Sequence, residues 1–230
     1  MRAEIILVQQ TSTERPVRKG LPRAFDFVIA ALGLLLAAPI VLVAAPLIGW
    51  SSHGAILFRQ TRMGRHGRTF QLYKLRTMTL SDKGPQVTSS NDERITRLGR
   101  FLRRTKLDEL PTLWNVLRGD MALVGPRPEV PRYVKLDDPK WQAVLSVRPG
   151  ITDPVTLRLR DEEALLARIN GDHEAYYLKE LQPMKLNGYV DYLKQRSWQS
   201  DLKLLFRTFV AIMIPGRSRT VAVNENIGQV

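Results

Sequence analysis

Between Phe27 and Trp50 the chain reads FVIAALGLLLAAPIVLVAAPLIGW, a run without a single charge. A helix of this length can cross the roughly 30 Å hydrocarbon core of a bilayer, so lipid constrains the fold as strongly as water does. The run starts well inside the chain and is longer than the apolar part of a cleavable leader, which argues against a signal peptide. Two readings remain, a spanning anchor bent at Pro39 and a re-entrant helix–break–helix hairpin. The flanks favour the second. Arg18, Lys19 and Arg23 precede the run and Arg59, Arg62, Arg65 and Arg68 follow it, whereas a spanning helix concentrates Lys and Arg on its cytoplasmic side. Pro39 removes a helical N–H in mid-run and clashes with the preceding turn, so a break is expected there, with Pro46 ending the second arm.

The 230 residues include 35 Lys plus Arg against 22 Asp plus Glu, a formal charge of +13. Such a surface calls for a polyanionic partner: nucleic acid, an acidic membrane surface or a phosphorylated substrate. Cysteine is absent, which excludes disulfides, thiol catalysis and Cys-ligated zinc, and His53, His66 and His173 do not stand at metal-ligand spacing. The expected fold class is α+β and mainly helical, with one catalytic domain. Residues 1–22 read as a tail with a short strand at EIILV, 23–50 as the membrane hairpin, 51–215 as the cytosolic domain and 216–230 as a second tail.

Within the domain, two β-prone runs flank Gly64-x-x-Gly67 and predict a β-hairpin that sets Lys74 and Arg76 on one face. Ile95, Leu98, Phe101 and Leu102 recur at helical spacing among five arginines, predicting a basic amphipathic helix over Asp92–Arg104. A second helix is predicted through Leu107, Leu110, Leu113, Trp114 and Leu117, with Thr105 as its capping residue and Pro111 in its first turn. In the C-terminal WQSDLKLLFRTFVAIMI, Leu202, Leu205, Phe206, Phe209 and Met213 share one face, which suits either a membrane interface or an ordinary core.

Asp108 and Glu109 would sit at the start of the second helix, where carboxylates commonly do no more than favour the helix dipole. Their company points further. Arg103, Arg104 and Lys106 precede them, Arg118 and Arg127 follow, and Arg127 stands between two prolines in GPRP. Carboxylates among phosphate-binding cations have two uses, holding a hard ion such as Mg²⁺ and attacking phosphorus to form an acyl phosphate. Arg148, in the Pro-Gly turn of VRPGITD, can be presented to the same site.

Five blocks in order, RAFDFVIAALGLLLAAPI, FRQTRMGRHGRTFQLYKLRTM, RLGRFLRRTKLDELPTLWNVLRGDMALVGPRP, VRPGIT and SWQSDLKLLFRT, make the chain resemble the monotopic phosphoglycosyl transferases, the bacterial sugar transferase family. The resemblance spans about Arg23 to Met213. It implies a re-entrant hairpin broken at Pro39 and a Mg²⁺-dependent dyad of Asp108 and Glu109. It further implies that Asp108 takes the sugar phosphate from a UDP-sugar with release of UMP and passes it to polyprenyl (undecaprenyl) phosphate. Lys74, Arg103, Arg127 and Arg148 match family positions for basic residues around phosphates and nucleotide. The implied setting is the cytoplasmic face of the inner membrane, in exopolysaccharide, O-antigen or glycoprotein assembly, in a minimal catalytic form with the homo-oligomeric state left open.

Two features depart from the family pattern. Ala38-Pro39 stands where Ser-Pro is common, and PGITDPVTLRLRDEEALLA replaces the commoner PGITGWAQV. Two rivals share the composition. One is a nucleic-acid-binding protein, against which stand the long apolar run and the lack of a docking motif. The other is a non-catalytic membrane scaffold of the same fold.

Overall fold

The computed structural model describes residues 18–79 and 87–214; most of the two tails, including the strand expected at EIILV, lies outside the described residues. The apolar run forms one helix, α1 (Arg23–Ser51), with Pro39 and Pro46 both inside it. This corrects the expectation of two helices separated by a break. The prolines withdraw the N–H groups that would bond the carbonyls of Leu35 and Leu42, yet the helix continues on either side.

One narrow stripe of α1, Asp26, Ala30, Ala37, Ala44 and Ile48, is buried. The spacings of four and seven keep these residues on one face of a 3.6-residue helix. The small side chains let the backbone lie close to the domain, while Leu35, Leu36 and Leu42 remain more than 70 % exposed on the other side. Both halves of α1 touch the same domain. Ala30 joins the main core with Val116, Met121 and Leu123, whereas Ala44 and Ile48 pack with Leu75 and Leu102.

The hairpin forms as expected, with β1 (Leu57–Met63) antiparallel to β2 (Thr69–Leu75) and Met63 paired with Thr69 across the turn. Arg76 lies just past the end of β2. Its buried guanidinium donates to the carbonyls of Ser52 at 2.6 Å, His53 at 2.7 Å and Ile48 at 3.3 Å, so it caps the C-terminus of α1.

The first basic helix is shorter than predicted. α2 (Arg97–Arg104) starts after Thr96, whose hydroxyl accepts the Gly99 N–H, and Ile95 instead bridges to Met78. A Cβ at Gly99 would fall 1.9 Å from the Thr77 carbonyl oxygen, so only glycine lets α2 lie this close to that strand end. Thr105 caps nothing ahead of it; its hydroxyl bonds back to the carbonyls of Phe101 and Leu102. Lys106 then adopts a left-handed conformation (φ 58°), followed by a single 3₁₀ turn at Leu107–Glu109 and by α3 (Thr112–Arg118). The dyad therefore stands in a separate turn between α2 and α3, and not in the first turn of a helix.

Beyond α3 come β3 (Ala122–Val124), α4 (Pro139–Leu145) and β4 (Gly150–Thr152). β3 and β4 pair in parallel, Ala122 with Gly150 and Val124 with Thr152. The segment VRPGIT thus contributes a strand as well as a turn, and this second small sheet was not anticipated. The departing segment folds into two short helices, α5 (Pro154–Arg158) and α6 (Glu162–Leu166), and a third, α7 (His173–Tyr176), follows it. A π-helical turn at Tyr177–Leu181 leads into α8 (Gln182–Gln195). In α9 (Trp198–Met213), Ser197 and Ser200 form a reciprocal capping box. Leu204 and Asp201 are buried, but Phe206, Phe209 and Met213 are each more than 60 % exposed, so the apolar face of α9 turns outward.

Candidate active site

Three packing devices bring the dyad and its cations together. Asn115, fully buried on α3, accepts the Tyr73 N–H and donates to the Gln71 carbonyl, while Thr112 donates to the Tyr73 carbonyl. These bonds clip α3 along β2 and fix the strand position of Lys74. The left-handed Lys106 turns the chain so that Asp108 points inward. A non-glycine residue there stores conformational strain, a recurrent feature of functional turns. GPRP follows β3 directly, and Gly125 and Gly150 touch so closely that a Cβ on Gly150 would lie 2.1 Å from the Gly125 nitrogen. That contact sets the loop carrying Arg127.

The outcome is an asymmetric pair. One oxygen of Glu109, Oε1, accepts from both Lys74 Nζ at 2.8 Å and Arg127 Nη2 at 2.6 Å. Burial raises the Glu109 pKa, but Arg127, Lys74 and Lys106 outweigh it and hold the carboxyl well below the ordinary range. Arg127 is correspondingly held above its usual value by Glu109. Lys74 is lowered by burial despite the pull of Glu109 and Asp108. Asp108 is only 7 % exposed, and its Oδ1 has no hydrogen-bond partner. Burial pushes its carboxyl up; Glu109 adds to this, against Lys74, Lys106 and Arg103. Adjacent residues of similar chemistry thus have opposite settings, one a locked anion and the other a buried carboxyl with a bare oxygen.

A cleft of ≈ 280 Å³ opens between Arg62, Lys74, Glu109, Thr112, Arg127 and Ile151. Of the basic residues singled out from sequence, Lys74 and Arg127 bind Glu109 directly. Arg103 lies at the rim, its Nε on Thr77 Oγ1 and its Nη1 on Glu163 Oε1, each at 2.8 Å. Arg148 is not brought to the dyad: its Nε donates to the Gly119 carbonyl at the end of α3, and burial, with Arg23 and Arg65 adding to it, lowers its pKa. The sequence reading also missed a supporting network behind Arg127. Glu129 pairs with Arg62 and accepts from the Tyr177 hydroxyl; Lys185 lies 4.9 Å over the Tyr177 ring and bonds Glu162. The signal was present as the E of PRPE, but its partners, Arg62 on β1 and Tyr177 in the π-helical turn, are remote in the chain.

Mg²⁺ suits this donor set. No cluster of three His, Cys, Asp or Glu exists among the described residues, but Mg²⁺ commonly takes one or two carboxylates and completes its shell with water and substrate phosphate. The unpartnered Oδ1 of Asp108 is a suitable hard oxygen donor.

A family model of the bacterial sugar transferases matches residues 17–215. A UDP-glucose:undecaprenyl-phosphate glucose-1-phosphate transferase of Caulobacter vibrioides is 40 % identical over 196 residues, which cover 83 % of this chain and 69 % of that protein. A protein of the same name from Escherichia coli K12 is 36 % identical over 84 % of this chain, but only 40 % of its own length is matched. The exopolysaccharide production protein ExoY of Rhizobium meliloti is 29 % identical over 90 % of this chain and 91 % of its own. The order of the five motifs, the dyad turn they enclose and a match across nearly the whole described chain lead to one conclusion: the chain belongs to the bacterial sugar transferase family.

Proposed function

We propose that this protein is a phosphoglycosyl transferase that moves a sugar-1-phosphate from a UDP-sugar to undecaprenyl phosphate through a covalent intermediate on Asp108. The observation that carries this reading is the division of labour in the dyad: Glu109 is neutralised by Lys74 and Arg127, and Asp108 presents an oxygen with no other partner. An Asp108 oxygen attacks the sugar-bearing β-phosphorus; the bond from that phosphorus to the bridging oxygen breaks and UMP departs with the electron pair. An oxygen of the lipid phosphate then attacks the same phosphorus, breaking the acyl-phosphate bond and returning Asp108 as a carboxylate. Lys74 and Arg127 orient the phosphoryl oxygens and offset their growing charge. Bound through Asp108 and Glu109, Mg²⁺ would supply further charge neutralisation.

The same reading embeds α1 in one leaflet on the cytoplasmic face of the inner membrane. A straight helix of 29 residues is about 43 Å long, enough to place its ends on opposite sides of a bilayer. Yet Arg23 at one end donates to the carbonyls of Val116 and Leu117, and Arg76 holds the carbonyls at the other, so both ends are tied to one folded domain. The exposed apolar residues of α1 and α9 complete a lipid-facing surface. The names of the relatives support the substrate classes, and ExoY supports a place in exopolysaccharide assembly.

Purified protein with Mg²⁺, undecaprenyl phosphate and a panel including UDP-glucose and UDP-N-acetylgalactosamine should release UMP with ping-pong kinetics. A UMP burst and a hydroxylamine-sensitive adduct on the Asp108 peptide, as expected of an acyl phosphate, should appear without lipid. Intersecting sequential kinetics would replace the covalent route by direct transfer. Tags at the N- and C-termini should both be shielded from an impermeant label in intact cells; labelling at the N-terminus alone would make α1 a spanning helix.

A further inference from the structure

The segment that departs from the family pattern delivers two consecutive glutamates to different partners. Glu162 receives Lys185 on both oxygens, at 3.2 and 3.0 Å, inside the network behind Arg127. Glu163 reaches the other way, to Arg103 Nη1. The backbone of Glu163 is pinned, since its carbonyl accepts the Ser90 N–H at 3.0 Å. Its side chain is free to leave: it is 44 % exposed, against 19 % for Arg103.

We propose that Glu163 is a positioning residue whose carboxylate holds Arg103 at the rim of the dyad in the substrate-free protein and gives it up to the diphosphate of the donor. This rests on the nucleotide-sugar reading above. Arg103 acts electrostatically on Asp108, so phosphoryl groups arriving there meet its guanidinium. They also meet the Glu163 carboxylate, which repels them. The exchange is cheap on the protein side, because an ion pair with an exposed partner is weak and the departing carboxylate regains water. Arg103 stays aimed throughout, because its Nε remains on Thr77. Phosphate oxygens can then accept charge-assisted bonds from the nitrogen that Glu163 vacates.

The test is calorimetric titration of the full-length solubilised protein with UDP and, separately, with inorganic pyrophosphate, in Mg²⁺ buffer. Glu163→Gln keeps the size of the side chain and removes its charge, so both probes should bind about two- to fivefold more tightly than to the wild type, the range an exposed ion pair supports. In an Arg103→Gln background the same substitution should change affinity by less than half that factor. Glu163→Asp should remain close to wild type. Unchanged or weaker binding of both probes to folded Glu163→Gln overturns the exchange and leaves the donor reading standing. An equal gain in the Arg103→Gln background overturns it too, because Glu163 would then act without Arg103. If pyrophosphate follows the expected pattern while UDP binds no form of the protein, the exchange holds and the nucleotide reading falls.

Discussion

Replacing Asp108 by Asn should abolish turnover and at the same time stabilise the protein, while Glu109→Gln should destabilise it. Asp108 has a raised pKa in the fold. Its ionised form is therefore disfavoured by folding, and that cost is present at neutral pH and disappears as pH falls through the folded value. An amide of the same shape removes the charge while leaving a buried polar group in its place, so only the charge cost is relieved and the unfolding midpoint should rise by a few degrees at most, roughly 2–4 °C for each 1 kcal/mol in a chain of this size. Glu109 has the opposite sign. Its folded pKa lies well below 4.5, so it contributes stability above that value and loses it as pH falls through the folded pKa. Removing its charge strands Lys74 and Arg127, and breaking a buried pair costs about 3–5 kcal/mol. With side chains here 18–32 % exposed, we expect about 2–4 kcal/mol. Thermal unfolding of the solubilised protein at pH 7.5 with a chelator gives both numbers. A lower midpoint for Asp108→Asn, or an unchanged one for Glu109→Gln, would refute the assignment of opposite settings.

The acid limb of kcat/KM for UMP release should lie above 3.8, the ordinary Asp value, because only ionised Asp108 attacks phosphorus; in the residual activity of Glu109→Gln that limb should move to lower pH, since Glu109 is one of the groups raising it. Added Mg²⁺ should increase the unfolding midpoint of the wild type by mass action and that of Asp108→Asn by clearly less, a binding readout independent of turnover. Arg76→Met should lower stability by about 2–4 kcal/mol, because it orphans the carbonyls at the end of α1; limited proteolysis near His53–Gly54 should then become faster, and an unchanged cleavage rate would show that Arg76 does not hold that end.

The local patterns that depend on composition were legible in the sequence. Charge-free length marked α1, alternation around Gly64-x-x-Gly67 marked the hairpin, and the clustering of Arg103, Lys106 and Arg127 around Asp108-Glu109 marked the site. Family-wide motif order supplied the roles proposed for them. Sequence periodicity misplaced what depends on a single backbone angle or on remote partners. Lys106 takes a positive φ that no pattern announces, and it moves the dyad out of the helix into its own turn. Pro39 carries an unambiguous local signal, but α1 continues through it along a stripe of small residues packed on the domain. Arg148 reads as a site cation because sequence gives its charge and not the Gly119 carbonyl that it bonds. The unequal states of Asp108 and Glu109 were beyond any one-dimensional reading, because a carboxylate is set by the cations and the burial around it. Those are supplied by β2, the GPRP loop and α3 only after Asn115 and the paired glycines have brought them together.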